Sequence, residues 1–237
     1  MRELPEIGGV TFFPSRRRLD VEAPTDGKPL AQLGAKALRY RAAGHEYQVS
    51  AGAFFQVNRY LIDELVATVA GNAHGDIAFD LYAGGGLFST ALAMFIRHIF
   101  SVEPSQTAFA DLVQNVPANV KTVGARTEDF LREDSLRLDF LRKDREDRLS
   151  GGRNSRKVRR SPDLIVLDPP RTGVGMSVAR SLVELGAPAV RYVSCDPATL
   201  ARDLPPFLAA GYHIEEAHLF DLFPQTFHIE SVLLLAR

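Results

Sequence analysis

Apolar residues recur along this chain in two regimes, and the change between them falls near Tyr60. Before it, short apolar runs are cut by Pro and Gly: GVTFF, LDVEA, LRYRA and YQVSAG. Their alternation and β-branched content predict the strands of a small sheet. After it, RYLIDELVATVAG carries apolar residues at helical spacing and ends on Gly. DIAFDLY then reads as a buried strand, Gly84-Gly85-Gly86 as a turn and LFSTALAMF as a helix. The alternation continues through HIFSVEP (strand), SQTAFADLVQNV (helix), NVKTVG (strand), DLIVLDPP (strand), SVARSLVELG (helix), AVRYVSC (strand) and PATLARDLPPFLAAG (helix). The chain ends on two strands, YHIEEAHLFDL and IESVLLLA, with no helix between them.

Strands joined by crossover helices predict a parallel, doubly wound α/β sheet, and the closing hairpin forces one antiparallel strand. Seven strands in that order resemble the Rossmann-like sheet of class I methyltransferases; a dinucleotide-binding sheet would continue with a helix. The chain divides accordingly into a small β-rich appendage, 1–58, and a large α/β unit, 59–237. Between Asp129 and Asp163 the alternation is interrupted by FLREDSLRLDFLRKDREDRLSGGRNSRKVRRSP. Its first half has the composition of a charged helix and its second that of a basic loop.

Composition adds little to this picture except at two points. A net charge of −1 over 237 residues hides segregation: residues 131–160 hold eleven Lys/Arg against six Asp/Glu. Such a segment is either a solvated surface insertion or a contact for phosphates. The single cysteine, Cys195, excludes an internal disulfide framework, a Cys-rich zinc site and a four-Cys iron–sulfur cluster within this chain. Together with an N-terminus unlike a signal peptide and no membrane-length apolar run, it predicts a soluble cytoplasmic protein.

The candidate chemistry lies at strand ends. In FDLYAGGGLFS a strand runs into a Gly-rich turn, where ligands of open α/β sheets sit. A nicotinamide-nucleotide fingerprint would put Gly where Ser89 stands. Glu103 ends the next strand, placed to accept hydrogen bonds from both ribose hydroxyls of an adenosine cofactor. Asp168 ends the fourth strand, stiffened by Pro169-Pro170 and followed by Arg171, where base-amine methyltransferases carry an aromatic residue. Cys195 ends the fifth strand, and the helix starting at Pro197 would favour its thiolate. Glu230 stands before the last strand as a candidate general base, with His228 beside it as a structural residue. No metal-ligand spacing occurs.

With FFQVN, DLYAGGGLFS, SVEP, LDPPR, YVSCDPATLARD and LFDLFPQTFHIESV in this order, the chain resembles the RNA 5-methyluridine (uracil-C5) methyltransferases from about SAGAFFQVN to its end. The resemblance implies S-adenosyl-L-methionine as cofactor and tRNA or rRNA as substrate. By position it implies cofactor-binding roles for Gln56, Tyr82, Gly84, Glu103 and Asp168, with Cys195 as nucleophile and Glu230 as base. Phe54 or Phe55 would wall the pocket. Asp196 departs from the family's usual Asn, and Leu87 replaces an Asn of some members. Many members carry an N-terminal OB-like RNA-binding domain and a central domain; this sequence starts inside the latter. Either the sequence is a piece of a longer protein, or RNA recognition falls to the basic segment or to Arg16-Arg17-Arg18. Other readings are weaker. Cytosine-C5 methylation lacks its Pro-Cys, since Pro169-Pro170 occupies that place. A non-catalytic RNA-binding module would have no use for both Cys195 and Glu230. A nicotinamide oxidoreductase is disfavoured by Ser89 and the terminal hairpin.

Overall fold

A computed structural model describes residues 7–14, 29–56, 58–132 and 161–237. LDVEA, Arg16-Arg17-Arg18 and, past Arg132, the basic segment lie outside the described residues.

A seven-stranded sheet forms the centre, built from β5 (Gly75–Leu81), β6 (Ile96–Val102), β7 (Val120–Val123), β8 (Leu164–Leu167), β9 (Ala189–Ser194), β10 (His213–Phe220) and β11 (Glu230–Ala236). Its order is β10-β11-β9-β8-β5-β6-β7. β5 to β9 pair parallel, while β11 runs antiparallel to both neighbours, β9 and β10. The doubly wound sheet with its antiparallel closing strand is thus the one expected from sequence. The chain crosses from β5 outwards to β7 and then restarts at β8 beside β5. The crevice at this switch point opens over the carboxyl ends of β5, β6, β8 and β9.

The sheet is buried on both faces because its central strands alternate between two apolar layers. On β8, Leu164 and Val166 join one layer and Ile165 and Leu167 the other. The first layer is covered by α1 (Ile62–Ala70) and α2 (Leu87–Leu92), and the second by α4 (Thr127–Arg132), α5 (Gly175–Leu185), α6 (Pro197–Asp203) and α7 (Pro205–Ala209). α1 buries Ile62, Leu65, Val66, Val69 and Ala70, one face at helical spacing, and carries Asp63 and Glu64 at its positive end. α3 (Gln106–Asn115) starts at Ser105, whose side chain accepts from the Ala108 N–H at 3.3 Å.

Two differences from the sequence reading have local causes. The helix expected over 197–211 is two helices, because Pro205 and Pro206 supply no N–H to continue the first. The helix after the Gly-rich turn stops at Leu92 instead of running to Phe95.

The N-terminal strands form two ribbons, β1 (Gly9–Phe12) with β2 (Ala31–Gly34) and β3 (Ala37–Ala42) with β4 (His45–Ser50). The second ribbon is fastened to the large unit. Tyr47 and Phe55 belong to the same apolar layer as α1 and α2. Asp111 on α3 accepts from Ser50 N at 2.7 Å and Ser50 Oγ at 2.6 Å. Asn115 donates to the carbonyls of Gln48 at 3.0 Å and Gly85 at 2.8 Å, so one side chain braces both the ribbon and the Gly-rich turn. Among the described residues no helix is long and apolar enough to cross a membrane.

Candidate active site

The Gly-rich turn leaves β5 through Tyr82, a non-glycine residue at φ 65°. That left-handed conformation is costly for a side chain and marks a position held by its surroundings. Gly84 follows at φ 53°, with nothing within 4 Å of where a Cβ would stand, so the turn has open space above it. Its N–H donates to Glu103 Oε2 at 2.8 Å, and Ser105 N donates to Oε1 at 2.7 Å. The turn and the end of β6 are therefore held together by the very carboxylate assigned to the ribose. Both oxygens already accept a backbone N–H, and a carboxylate retains lone pairs for two further donors.

Phe55 packs against Gly85, between Tyr40 and Tyr47, while Phe54 is exposed. Gln56 follows directly, buried, with its Oε1 lacking a hydrogen-bond partner among the described residues. Beneath the turn, Asp80 is fully buried and accepts from Ser89 Oγ, which also lies 2.5 Å from Ser101 Oγ. Burial pushes the Asp80 carboxyl up to about 7, and its second oxygen has no partner among the described residues. Ser89 thus stands where a dinucleotide fingerprint has Gly because its hydroxyl bridges β5 and β6.

At the other side of the crevice, β9 and β11 pair at Ser194↔Ser231, so the next residues, Cys195 and Glu230, come opposite each other. Asp168 completes the group from the end of β8. Burial raises the Asp168 carboxyl well above its ordinary range, and the charges of Glu230, Asp80 and Glu103 push the same way. Burial raises Glu230 from 4.5 to about 7. The thiol of Cys195 is pushed up to about 11, first by burial, then by Glu230 and Asp168, with Arg171 opposing. This reverses the expectation that the following helix would favour the thiolate. Burial and the two carboxylates outweigh the helix, whose start is in any case capped by the Asp196 carboxylate, accepting from Ala198 N and Thr199 N at 2.9 Å each. The donors that would have faced the sulfur are already paired. Asp or Asn can fill that capping role, which accounts for the departure at 196.

The raised Glu230 carboxyl has a consequence for stability. Its folded pKa lies above the ordinary value, so the stability it contributes is full below about pH 4.5 and is lost as pH rises through about 7. Glu230→Gln is fixed neutral and loses nothing over that range. The variant is expected to be more stable than the parent at pH 8, by up to about 3 kcal/mol, and indistinguishable near pH 4. Urea unfolding at both pH values measures the difference.

Sequence reasoning passed over a clamp behind these residues. Asp203 on α6, fully buried, accepts from Val174 N at 2.7 Å, Tyr192 Oη at 2.8 Å and Arg202 Nε at 2.9 Å. Arg202 Nη2 donates to Thr172 O at 2.6 Å. The loop after Asp168 is thereby fixed, and it carries Arg171, whose Nη2 lies 2.8 Å from His228 Nε2. Asp203→Ala leaves several buried donors unpaired and is expected to cost about 3 kcal/mol, against about 1 kcal/mol for Tyr192→Phe, by chemical denaturation.

Glu103, Asp168 and Glu230 and an open Gly-rich turn therefore share one edge of the sheet, with Asp80 and Gln56 buried behind it and a thiol facing a carboxyl at its end. Among the described residues no group of His, Cys, Asp or Glu is placed to hold a metal ion.

Comparison with known proteins gives the same residues a wider frame. The family described as tRNA (uracil-5-)-methyltransferase matches residues 33–237. An RNA methyltransferase of uncharacterised function from Streptomyces avermitilis is 36% identical over 210 residues, covering 85% of this chain and 43% of that protein. The chain thus spans less than half the length of this curated relative. Among solved structures, Pyrococcus abyssi tRNA (uracil-54, C5)-methyltransferase in complex with S-adenosyl-L-homocysteine superposes with a TM-score of 0.69 at 25% identity, over 97% of this chain and 50% of that one. M. jannaschii TYW2 in complex with AdoMet, 13% identical with a TM-score of 0.54 over 89% of this chain and 90% of that one, shares the fold.

Proposed function

Since the chain belongs to the tRNA (uracil-5-)-methyltransferase family, we propose that it transfers a methyl group from S-adenosyl-L-methionine to C5 of a uridine in RNA, tRNA in the first instance. The observation that carries this reading is the facing of Cys195 and Glu230 at the end of the crevice.

The crevice fits the cofactor on its own chemistry. A sulfonium is a cation, and Glu103, Asp168 and Glu230 bring carboxyl groups to this edge, with Asp80 buried beneath it and close enough to act on Asp168. Gln56 presents a buried oxygen in want of a donor, and Gly84 leaves room for a ligand against the backbone. In this reading Glu103 holds the ribose, Tyr82 packs against the cofactor, and Gln56, Gly84 and Asp168 complete the site. S-adenosyl-L-methionine bound there supplies an electrophilic methyl group.

The chain's own residues do the rest. Uracil C5 is a poor nucleophile. The Cys195 thiolate adds to C6, and the electrons of the C5–C6 double bond move onto the C4 carbonyl as an enolate. C5 would then accept the methyl group that the bound cofactor supplies, the electron pair of the broken bond remaining with the cofactor. Glu230 removes the C5 proton, the double bond re-forms, and Cys195 departs as thiolate. A base near neutrality suits this step, and Glu230 lies at about 7. Burial, Glu230 and Asp168 raise the thiol and Arg171 opposes them; a further cation beside the carboxylates would act in the same direction as Arg171. The target base must leave any stack to reach so buried a carboxyl, which favours a uridine in an RNA loop.

Incubation with methyl-labelled S-adenosyl-L-methionine and tRNA lacking 5-methyluridine, followed by nucleoside analysis, tests the proposal. Labelled 5-methyluridine is expected; cofactor binding without any 5-methyluridine in tRNA or rRNA would refute it.

A further inference from the structure

The rim of the Cys195–Glu230 edge is the loop joining β10 to β11. It is well fastened. Asn58 Nδ2 donates to Leu222 O at 2.9 Å. Thr226 donates to Phe223 O through its N–H at 3.1 Å and its hydroxyl at 2.7 Å. The hydroxyl in turn accepts from His228 N at 3.2 Å. Gln225, at φ 66°, takes the left-handed conformation that tightens the turn.

This turn holds Phe227 outward at 87% exposure. A lone exposed apolar residue calls for no explanation, but this one is organised. Its ring lies 4.1 Å from the His228 imidazole at 50°, and His228 in turn meets Arg171 at 2.8 Å. An aromatic ring, an imidazole and a guanidinium thus run in series from solvent towards Cys195. Phe227 is three residues from Glu230, so the two Cα atoms are at most about 10 Å apart. On the other side of Asn58, Arg59 covers the ring of Tyr60, itself 79% exposed. Unstacked RNA bases are bound by such aromatic faces and guanidinium planes.

We propose that Phe227, seated on His228, is the stacking surface for the nucleobase adjacent to the target uridine in an RNA loop. The inference rests on the uracil-C5 reading for its choice of RNA. Flipping the uridine strips its neighbour of a stacking partner, and Phe227 replaces that partner at the mouth of the site. Sequence context is then read by stacking strength beside the target and not by the crevice alone.

The test uses a fluorescently labelled RNA hairpin with a loop uridine, and copies abasic at the nucleotide 5′ or 3′ of it, with S-adenosylhomocysteine present. Phe227→Ala is expected to weaken binding by roughly tenfold and to raise KM more than it lowers kcat, while Phe227→Trp restores both. At one of the two neighbours, the abasic change should weaken the parent protein by a similar factor yet add almost nothing to Phe227→Ala. Unchanged affinity in Phe227→Ala, or independent losses at both neighbours, would overturn the inference. Parent protein that makes no 5-methyluridine defeats the functional proposal instead, and the binding measurements still decide the stacking surface.

Discussion

Cys195→Ala is expected to lose methyl transfer to RNA by at least about four orders of magnitude while still binding S-adenosyl-L-methionine. Removing a nucleophile removes the covalent route itself, and residual activity falls to what binding alone supplies. The loss should be chemical and not structural. Cys195 is only half-buried, at the end of β9, and its backbone neighbours are held independently by the pairing of Ser194 with Ser231 and by the Asp196 cap. Thermal stability should change little, and a normal melting profile beside absent 5-methyluridine is the combination to look for. If the alanine variant keeps a tenth or more of the parent rate, the thiol is not the nucleophile.

Glu230→Gln is the second large effect, and it differs in kind. The amide cannot take the C5 proton, so addition and methyl transfer proceed but release of Cys195 does not. Turnover is expected to fall by roughly 10²- to 10⁴-fold, with covalent protein–RNA complex accumulating on ordinary RNA. Denaturing electrophoresis separates that complex from free protein. The pH profile gives a second reading: Glu230 must be ionised to act, so the parent kcat/KM, which reports the free protein, should rise through about pH 7, where burial has placed this carboxyl. Free turnover by the glutamine variant, with no complex, would remove Glu230 from the base role.

The order of strands and the gathering of Gly84, Glu103, Asp168 and Cys195 at one edge were legible because parallel strands must all end on the same side. Each strand end could be found from its apolar run. The opposition of Glu230 to Cys195 needed more than an antiparallel strand: it required β11 to insert beside β9 and to pair there in one register, which the sequence left open. What the sequence concealed is non-local. β2, AQLG, has three exposed residues and one half-buried, so its pairing with β1 leaves no amphipathic trace. Asp111 and Asn115 look like the wet face of α3, and only the docked β4 ribbon gives them partners. Asp203 looks like an ordinary helix-end acid until the loop after Asp168 folds over it. The direction of the Cys195 shift depends on burial first and then on carboxylates from two other strands, which local reading of a helix N-terminus leaves out.

The electrostatics of the crevice connect these points. Asp80, Asp168 and Glu230 are all raised by burial, so without a cation the group holds protons that ordinary carboxyls release. A bound cation reverses the incentive, ionising the carboxyls and easing the thiol downwards. In the proposed reaction, binding of the cofactor would ready Cys195 through charge.

The central claim is that the methyl group reaches uracil while C6 is bonded to Cys195, and trapping that state tests it most directly. RNA carrying 5-fluorouridine at the target allows addition and methyl transfer but offers no C5 proton for Glu230 to remove. With S-adenosyl-L-methionine and the parent protein, mass spectrometry of the digested complex should find the nucleotide on Cys195, carrying one added methyl group. A nucleotide on any other residue, or no covalent complex from a protein that makes 5-methyluridine on ordinary RNA, would contradict it.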